Sequence, residues 1–539
     1  MGEAQRKEQW GTRLGVILAV TGSAVGLGNF LRFPGLAAQY EGGAFMIPYF
    51  IALLLLGLPL AWAEWAMGRY GGVRGFNSTP GIYRAIWKNN RLAPYVGVIG
   101  LLVPVGIYMY YVIIEAWCLG YAWYYLTGHM ADIGRQAMSN GVLNKQAYAD
   151  FFATFTGSGG NASLFSAAGA PTLVFVGLCF IINFIIIYRG LSKGIEKFCI
   201  YAMPLLIVCA LVVLVRVLTL DGINAGLGFM WNPRTEKAGF LQSLAKPGMW
   251  LDATSQIFFS LSVGFGIIIT YASYLKPDDD IALSSLTSCA GNEFCEVALG
   301  GMITIPAAFI FLGAVQVTQA AGSSFNLGFR TLPMVFESMP LGHIAGFAFF
   351  FLLFLAAMTS SLSMLQPAIA LLEEGLGLNR RASVALLGFI TLLGSCIILL
   401  LSRDTIALGT FDFWAGTLCI FLLALFQTVL FGWVLGIEKG LAEIDRGAEI
   451  RVPRFIGFVL KYVSPVYLGG IFVMWLIQQV RVPDNSFRAI FTSPEVAISV
   501  GFLFIVSLLF LLLIAQSVRR WRQLEAAAES ALVAPEAKP

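Results

Sequence analysis

Five small polar side chains stand where chemistry is possible: Asn29, Ser260, Asn292, Thr359 and Ser360. Each lies inside a stretch without charge and offers amide or hydroxyl oxygen. Such donors suit a hard monovalent cation, and the absence of thiolate and imidazole argues against a transition metal. Beside them run two strings, GSAVGLGN at 22–29 and SLSVGFG at 260–266, which share Val-Gly-x-Gly. Each glycine costs a helix about 1 kcal/mol relative to alanine, so the pairs predict unwound segments in mid-helix. Close packing through small residues explains one such site. Two at corresponding places point to the paired broken helices of a transporter. Unwinding frees N–H groups for an anion and carbonyls for a small cation.

The elements that must position these groups follow from composition. Of 539 residues, 58% are hydrophobic and 12% charged, with a mean hydropathy of +0.79. That excludes a soluble enzyme with a single anchor, a disordered chain and a disulfide scaffold. Twelve runs of 18 or more residues lack Asp, Glu, Lys and Arg, from 14–31 to 496–518. A spanning helix needs about 20 apolar residues, so the runs predict an all-α membrane protein with twelve transmembrane helices. The glycine-broken strings fall in runs one and six. Five helices per half is odd, so the halves insert oppositely as a 5+5 inverted repeat, with two extra helices beyond it. The expected organisation is an N-terminal segment over 1–12, a first repeat over 13–217 and an outer loop over 218–247. A second repeat follows over 248–437, then helices eleven and twelve over 438–518 and a tail over 519–539. The Gly/Ser/Ala-rich stretches 151–170 and 314–341 read as outer loops, the second as a candidate lid.

Lys and Arg set the orientation. The loops and tails on the side of the termini hold 23 of them and the opposite side 11. Both termini are therefore expected in the cytoplasm. This bias explains the net charge of +4 without a nucleic-acid partner. The polar start, Met1 to Gln9, predicts that the first run is retained as a helix. The eight cysteines lie in or beside apolar runs and read as buried small hydrophobes. His129 and His343 are too distant for a zinc site. No nucleophile–base pair has motif support, so an enzyme is not expected.

Nine strings in order carry a resemblance: GSAVGLGNFLRFP (22–34), GGAFMIPY (42–49), EWAMGRYGG (64–72), SKGIEKF (192–198), QIFFSLSVGFG (256–266), ITYASY (269–274), SSFNLGF (323–329), LTSSLSMLQP (358–367) and DFWAGT (412–417). The chain resembles the bacterial neurotransmitter:sodium symporters of the leucine-transporter type, over helices one to ten. The resemblance implies the leucine-transporter fold and sodium-coupled symport of an amino acid by alternating access. It also implies two Na+ ions. The first would be held by the Ala24 carbonyl, Asn29, Ser260, Asn292 and the substrate carboxylate. The second would be held by the carbonyls of Gly22, Val25 and Ala356 with the hydroxyls of Thr359 and Ser360. The substrate carboxylate would meet the Leu27 and Gly28 amides and the Tyr111 hydroxyl. The amino group would face carbonyls of Ala24, Phe259 and Ser260 and the Ser262 side chain. Ile107, Tyr111, Phe259, Ser262, Phe265, Ser360 and Met364 would enclose the side chain.

The same resemblance implies an outer gate, an Arg32–Asp412 pair under a Phe259 lid. It implies an inner gate of Arg6 or Lys7 with Tyr274 and Glu374. Ser23 stands where the nearest relatives have Asn, and Ser260 where they have Thr. Glu64, Glu115, Glu293 and Glu296 lie in apolar runs, where an acid costs about 2.5–3.5 kcal/mol on insertion scales. For Glu64 and Glu115 a tie between helices is the expected role, and for Glu293 a tether of the cytoplasmic half of its helix. Glu296 resembles the position where chloride-independent members carry their own anion, with Tyr49, Gln256 and Ser260 as expected neighbours. Gly194 and Pro204 mark a stretch of helix five that unwinds in similar proteins to let water reach the second sodium. Gly26 stands where monoamine carriers place Asp, so the substrate is expected to be a zwitterionic, mainly aliphatic amino acid. The expected partners are that substrate and the lipid bilayer, with a homodimer as the candidate assembly. A non-transporting amino-acid sensor on the same fold is the rival function; a large extra cytoplasmic domain would be its mark.

Overall fold

The computed structural model describes residues 8–40, 42–88, 90–137, 145–234, 240–482 and 485–533. Among them every regular element is helical, apart from an isolated bridge between Gly42 and Pro233. The physical reason is the length of the apolar runs, since only helices and closed barrels satisfy their backbone within a bilayer. Ten described helices are long and apolar enough to cross it. They include helix two (Gly43–Gly72), three (Ala93–Leu126), four (Ala170–Tyr188), five (Leu191–Leu218), seven (Ile281–Ala320), eight (Gly342–Glu374), nine (Arg380–Leu400), ten (Arg403–Asp445) and twelve (Pro494–Glu525). Helix eleven is centred on Ser464–Arg481.

The two remaining passes are the broken ones. Helix one consists of Arg13–Ala24 and Gly28–Gln39, bent by 50°. Helix six consists of Pro247–Leu261 and Ile267–Ala272, each too short to span alone. By length and composition ten described helices, or eleven with the bent pair of helix one, could cross the membrane, and helix six in its two short pieces would make the expected twelfth. The two stretches read as loops are partly helical. Lys145–Thr156 is a helix, and helix seven continues to Ala320. Neither segment contains a glycine or proline after its kink at Gly313, so nothing stops the helix there.

Helix eight forms the axis of the core, with 83% of its apolar window buried, whereas helices four and twelve show 28%. It packs along helix three and against helices one and five. Local caps fix where spans begin. The Thr12, Asp280 and Asn379 side chains accept the amides of Gly15, Leu283 and Ala382 at the starts of helices one, seven and nine. Such caps contribute about 1 kcal/mol each. π-helical turns recur at Gly28–Arg32, Leu191–Glu196, Phe294–Gly300 and Asp412–Leu418. Further π-turns lie at Leu53–Gly57, Asn326–Thr331, Leu430–Gly436 and Val459–Val463, so three of the eight described, at Gly28–Arg32, Phe294–Gly300 and Asp412–Leu418, contain candidate site residues.

Candidate functional site

Between the two broken helices lies a cavity of about 370 Å3. All twelve expected substrate residues line it: Ala24, Gly26, Leu27 and Gly28 from helix one, Ile107 and Tyr111 from helix three, Phe259, Ser260, Ser262 and Phe265 from helix six, and Ser360 and Met364 from helix eight. Arg32 and Asp412 line it too, and it continues to Gly322–Phe325 of the second outer loop. The stretch read as a lid therefore forms part of the cavity wall.

The breaks are built differently. Helix one ends at Ala24, Val25 is extended, and the chain resumes helix at Gly28. The Gly26 amide donates to Asn29 Oδ1 at 2.8 Å. A Cβ at Gly26 would lie 2.9 Å from the Tyr111 hydroxyl, closer than real Cβ contacts. The Leu27 amide donates to that hydroxyl at 3.4 Å. In helix six, Ser262, Gly264 and Gly266 adopt φ of 55°, 76° and 78°. Those are left-handed conformations that glycine takes without strain. The Gly264 amide donates to Glu64 Oε1 at 2.9 Å. Glu64 thus ties helix two to the break, a role within the expected class.

One polar cluster joins both breaks to helix seven. Asn29 Nδ2 donates to Asn292 Oδ1 at 2.8 Å and to Glu296 Oε2 at 3.0 Å. Asn292 Nδ2 donates to Ser260 Oγ at 2.6 Å, and the Ser260 hydroxyl donates to Glu296. Gln256 Nε2 donates to the other Glu296 oxygen at 2.8 Å. Ala24 lies at the cavity edge of this group. The donors are all oxygens of amides, hydroxyls and a carboxylate, which fits a small hard cation. A second group joins helices one and eight. Thr359 Oγ1 donates to the Ala356 carbonyl at 2.9 Å, and Ser360 Oγ to the Ser23 carbonyl at 3.2 Å. A Cβ at Gly22 would come 3.2 Å from Thr359 Cβ and 3.1 Å from Met203 Sδ, so the two backbones approach closely there. Val25 and Ala356 are fully buried beside them. The Ser23 carbonyl also accepts from Ser262 Oγ at 3.0 Å, linking the second group to helix six.

Several expectations need correction. Arg32 and Asp412 form no ion pair within 4.0 Å among the described residues, because both are engaged elsewhere. The guanidinium donates to Gln256 Oε1 at 3.0 Å and Ser255 Oγ at 2.9 Å and lies 5.0 Å from the centre of the Phe259 ring. Asp412 accepts from the Tyr110 hydroxyl at 2.6 Å. Tyr49 donates to Glu293 at 2.8 Å and also interacts with Glu296, as expected. Glu293 therefore ties helix seven to helix two. Helix five runs unbroken through Pro204, and its irregular stretch is the π-turn Leu191–Glu196.

The inner side is fastened. Arg6 and Lys7 lie outside the described residues. Tyr274 accepts from Gln366 Nε2 at 2.9 Å. Glu374 accepts from the Asn77 amide and the Ser78 hydroxyl, while its neighbour Glu373 pairs with Arg380 at 3.2 Å. Glu196 accepts the Gly11 and Thr12 amides at 2.7 and 2.9 Å, which anchors the entry to helix one. Glu115 accepts from Ser361 Oγ at 2.6 Å and Asn183 Nδ2 at 3.0 Å, tying helix three to eight and four. Tyr110 was not among the expected residues. Its signal was present in the sequence: Ile107, Tyr110, Tyr111 and Ile114 are spaced 0, 3, 4 and 7 along one helix face.

Known proteins share this arrangement. A model of the Sodium:neurotransmitter symporter family matches residues 7–143 and 138–523. An uncharacterized sodium-dependent transporter of Haemophilus influenzae is 29% identical over 483 residues, covering 87% of this chain and 98% of its own. The sodium- and chloride-dependent taurine transporter of Bos taurus is 26% identical over 532 residues, covering 93% and 82%. The crystal structure of MhsT in complex with L-phenylalanine superposes with a TM-score of 0.72 at 29% identity, covering 87% of this chain and 99% of that one. With two broken helices around one cavity and an all-oxygen cluster at their junction, the chain belongs to the sodium:neurotransmitter symporter family, whose members are sodium-dependent membrane transporters and not enzymes.

Proposed function

We propose that the protein carries a zwitterionic, mainly aliphatic amino acid together with two Na+ ions, without chloride, by alternating access. The observation that carries this reading is the approach of Tyr111 to Gly26. A Cβ at residue 26 would meet the hydroxyl at 2.9 Å, so helix one brings no acidic side chain to the cavity there. The substrate must then supply its own carboxylate. The Leu27 and Gly28 amides, at the start of the outer half-helix, and the Tyr111 hydroxyl would receive it. The crystallised relative holds an amino acid, L-phenylalanine, which agrees with a substrate that brings its own carboxylate but does not bear on the aliphatic side chain.

The first Na+ would be held by Asn29, Asn292, Ser260 and the Ala24 carbonyl, with the substrate carboxylate completing its shell. Sharing one ligand couples the two solutes directly. The second would be held between helices one and eight, by the carbonyls of Gly22, Val25 and Ala356 and the hydroxyls of Thr359 and Ser360. It would thereby tie the inner half of helix one to the core. Its release would loosen that half and open the inner side, with helix five giving way between Gly194 and Pro204.

Glu296 would supply the negative charge beside the first Na+ that chloride supplies in chloride-dependent relatives such as the bovine taurine transporter. Closure on the outer side would bring Arg32 from Gln256 and Ser255 toward Asp412, with Phe259 moving under it. The inner gate would combine Tyr274, Glu374 and a base at Arg6 or Lys7. Both termini would lie in the cytoplasm.

The test is uptake into proteoliposomes with leucine, alanine, methionine and tryptophan, each with sodium or potassium outside and with chloride or gluconate. Sodium-dependent, chloride-indifferent uptake of an aliphatic amino acid is expected. Uptake unaffected by removal of sodium, or dependent on chloride, overturns the corresponding part.

A further inference from the structure

At the junction of helices four and five, on the side of the termini, the surface carries a groove of about 340 Å3. It lies outside the transport cavity. Arg189, Lys193 and Lys197 line it and are exposed. Their side chains make no ion pair or hydrogen bond among the described residues. Two carboxylates of the same region are committed elsewhere: Glu196 holds Gly11 and Thr12, and Glu8 holds the Leu191 amide. Three positive charges therefore face the groove without a counter-charge.

The face below them changes character in a regular way. Lys193, Lys197, Tyr201 and Leu205 follow one another at intervals of four, on one side of helix five. At about 1.5 Å of rise per residue, the ladder from Lys193 to Leu205 descends about 18 Å. Tyr201 is 69% exposed and Leu205 44%, so this face is open to the bilayer. Cation, then aromatic ring, then aliphatic chain is the order of a phospholipid leaflet from headgroup inward. A free phosphate would use the top of the ladder alone. The groove also reaches Leu355 of helix eight, next to Ala356 of the second polar group.

We propose that this groove binds an anionic phospholipid, with its phosphate held by Arg189, Lys193 and Lys197 and an acyl chain lying along Tyr201 and Leu205. The three cations come from the end of helix four, the π-turn Leu191–Glu196 and the first turn of helix five. A headgroup bridging them clamps the stretch of helix five that must move for the inner side to open. The lipid thus holds the transporter in its inner-closed form.

The experiment uses the full chain. Phosphatidylglycerol retention is measured by native mass spectrometry, with phosphatidylcholine and sn-glycerol 3-phosphate as alternative probes. Each cation near an anionic headgroup contributes about a factor of five. The variant Arg189→Gln/Lys193→Gln should therefore retain about 25-fold less phosphatidylglycerol. The control Arg451→Gln/Arg454→Gln, two exposed cations on the same side, should retain the wild-type amount. Equal loss in both variants, or no retention by the wild type, overturns the site. Displacement by glycerol phosphate alone assigns a soluble anion instead and overturns the lipid. Hydrogen exchange over residues 190–200 in nanodiscs tests the clamp without any transport assay. Phosphatidylglycerol should slow exchange in the wild type and not in the groove variant; equal exchange in both lipids overturns the clamp.

Discussion

Helices one and six carry the same string, Val-Gly-x-Gly, and break for different reasons. In helix six the glycines are conformational, since Gly264 and Gly266 sit at φ of 76° and 78°. In helix one neither Gly26 nor Gly28 is left-handed, and Gly26 is spatial, keeping clear of the Tyr111 hydroxyl. The braces differ as well. The helix-one break is held from within, by the Asn29 side chain reaching back to the Gly26 amide. The helix-six break is held from outside, by Glu64 of helix two. The first brace is also a member of the polar cluster, while the second stands behind the cavity. Binding and backbone geometry are therefore fused in helix one and separable in helix six.

The largest effect should follow where they are fused. Asn29→Ala removes the brace on Gly26 and the donor to Asn292 and Glu296 together. Leaving buried partners unpaired costs about 1–3 kcal/mol each, so sodium-dependent substrate binding should fall by at least about tenfold. Thr359→Ala/Ser360→Ala should weaken sodium dependence too, while leaving the Asn29 brace intact. A sodium titration of substrate binding reads both. If Asn29→Ala kept the wild-type sodium affinity, the fusion of ligand and brace would be wrong.

Next comes the residue that bridges the breaks. Glu296 meets Asn29 of helix one and Ser260 and Gln256 of helix six. Glu296→Ser removes the fixed charge and should make uptake chloride-dependent. Wild-type uptake that already needs chloride would remove the assignment.

Glu64 tests separability. Glu64→Leu leaves the Gly264 amide without an acceptor in a buried place, at a cost of about 1–3 kcal/mol. Glu64→Gln keeps an oxygen there and should be milder. Both should lower thermal stability more than sodium affinity. Thermal unfolding in detergent beside the sodium titration decides it: a loss of sodium affinity as large as that of Asn29→Ala would show that the helix-six brace is not separable. Arg32→Ala touches neither brace. It should impair transport more than protein yield, because among the described residues Arg32 hydrogen-bonds only Gln256 and Ser255 and its proposed use is to move toward Asp412. Reduced yield with normal specific activity would assign Arg32 a structural role instead.

The sequence made some of this legible and concealed the rest. Span number and break positions could be read because charge-free runs and mid-run glycines are local signals. The twelve cavity residues came through the resemblance, whose strings preserve both identity and order. What escaped was pairing across helices. Nothing local tells that Glu64 takes the Gly264 amide or that Tyr49 also reaches Glu293. Nothing local tells either that Arg32 turns to Gln256 and Ser255 while Asp412 takes the Tyr110 hydroxyl. Tyr110 was accessible from helical spacing alone. Glu373 was not, because adjacent acids on a helix end differ by about 100° in direction and only the packing decides which one meets Arg380.

The smallest effect concerns the wall between the two breaks. Ile107 lies one turn before Tyr111 on the same face of helix three and lines the same cavity, so in the proposed reading it would meet the substrate side chain where Tyr111 would meet the carboxylate. Ile107→Val removes one methylene from that wall and leaves both braces untouched. A methylene in such a pocket discriminates by about 1–3 kcal/mol, so the leucine-to-alanine preference should shift by about tenfold toward the larger substrate. Met364 on the opposite side is unbranched and adaptable, which limits the shift. Competition by leucine, alanine, methionine and tryptophan against a labelled substrate measures it, with isoamylamine as the decarboxylated analogue of leucine. Isoamylamine should compete poorly in wild type and variant alike, because neither supplies the acid that Gly26 lacks. Equal competition by the amine would break the link between the helix-one break and the substrate carboxylate. Tryptophan outcompeting leucine in the wild type would show that Ile107 and Met364 do not narrow the pocket.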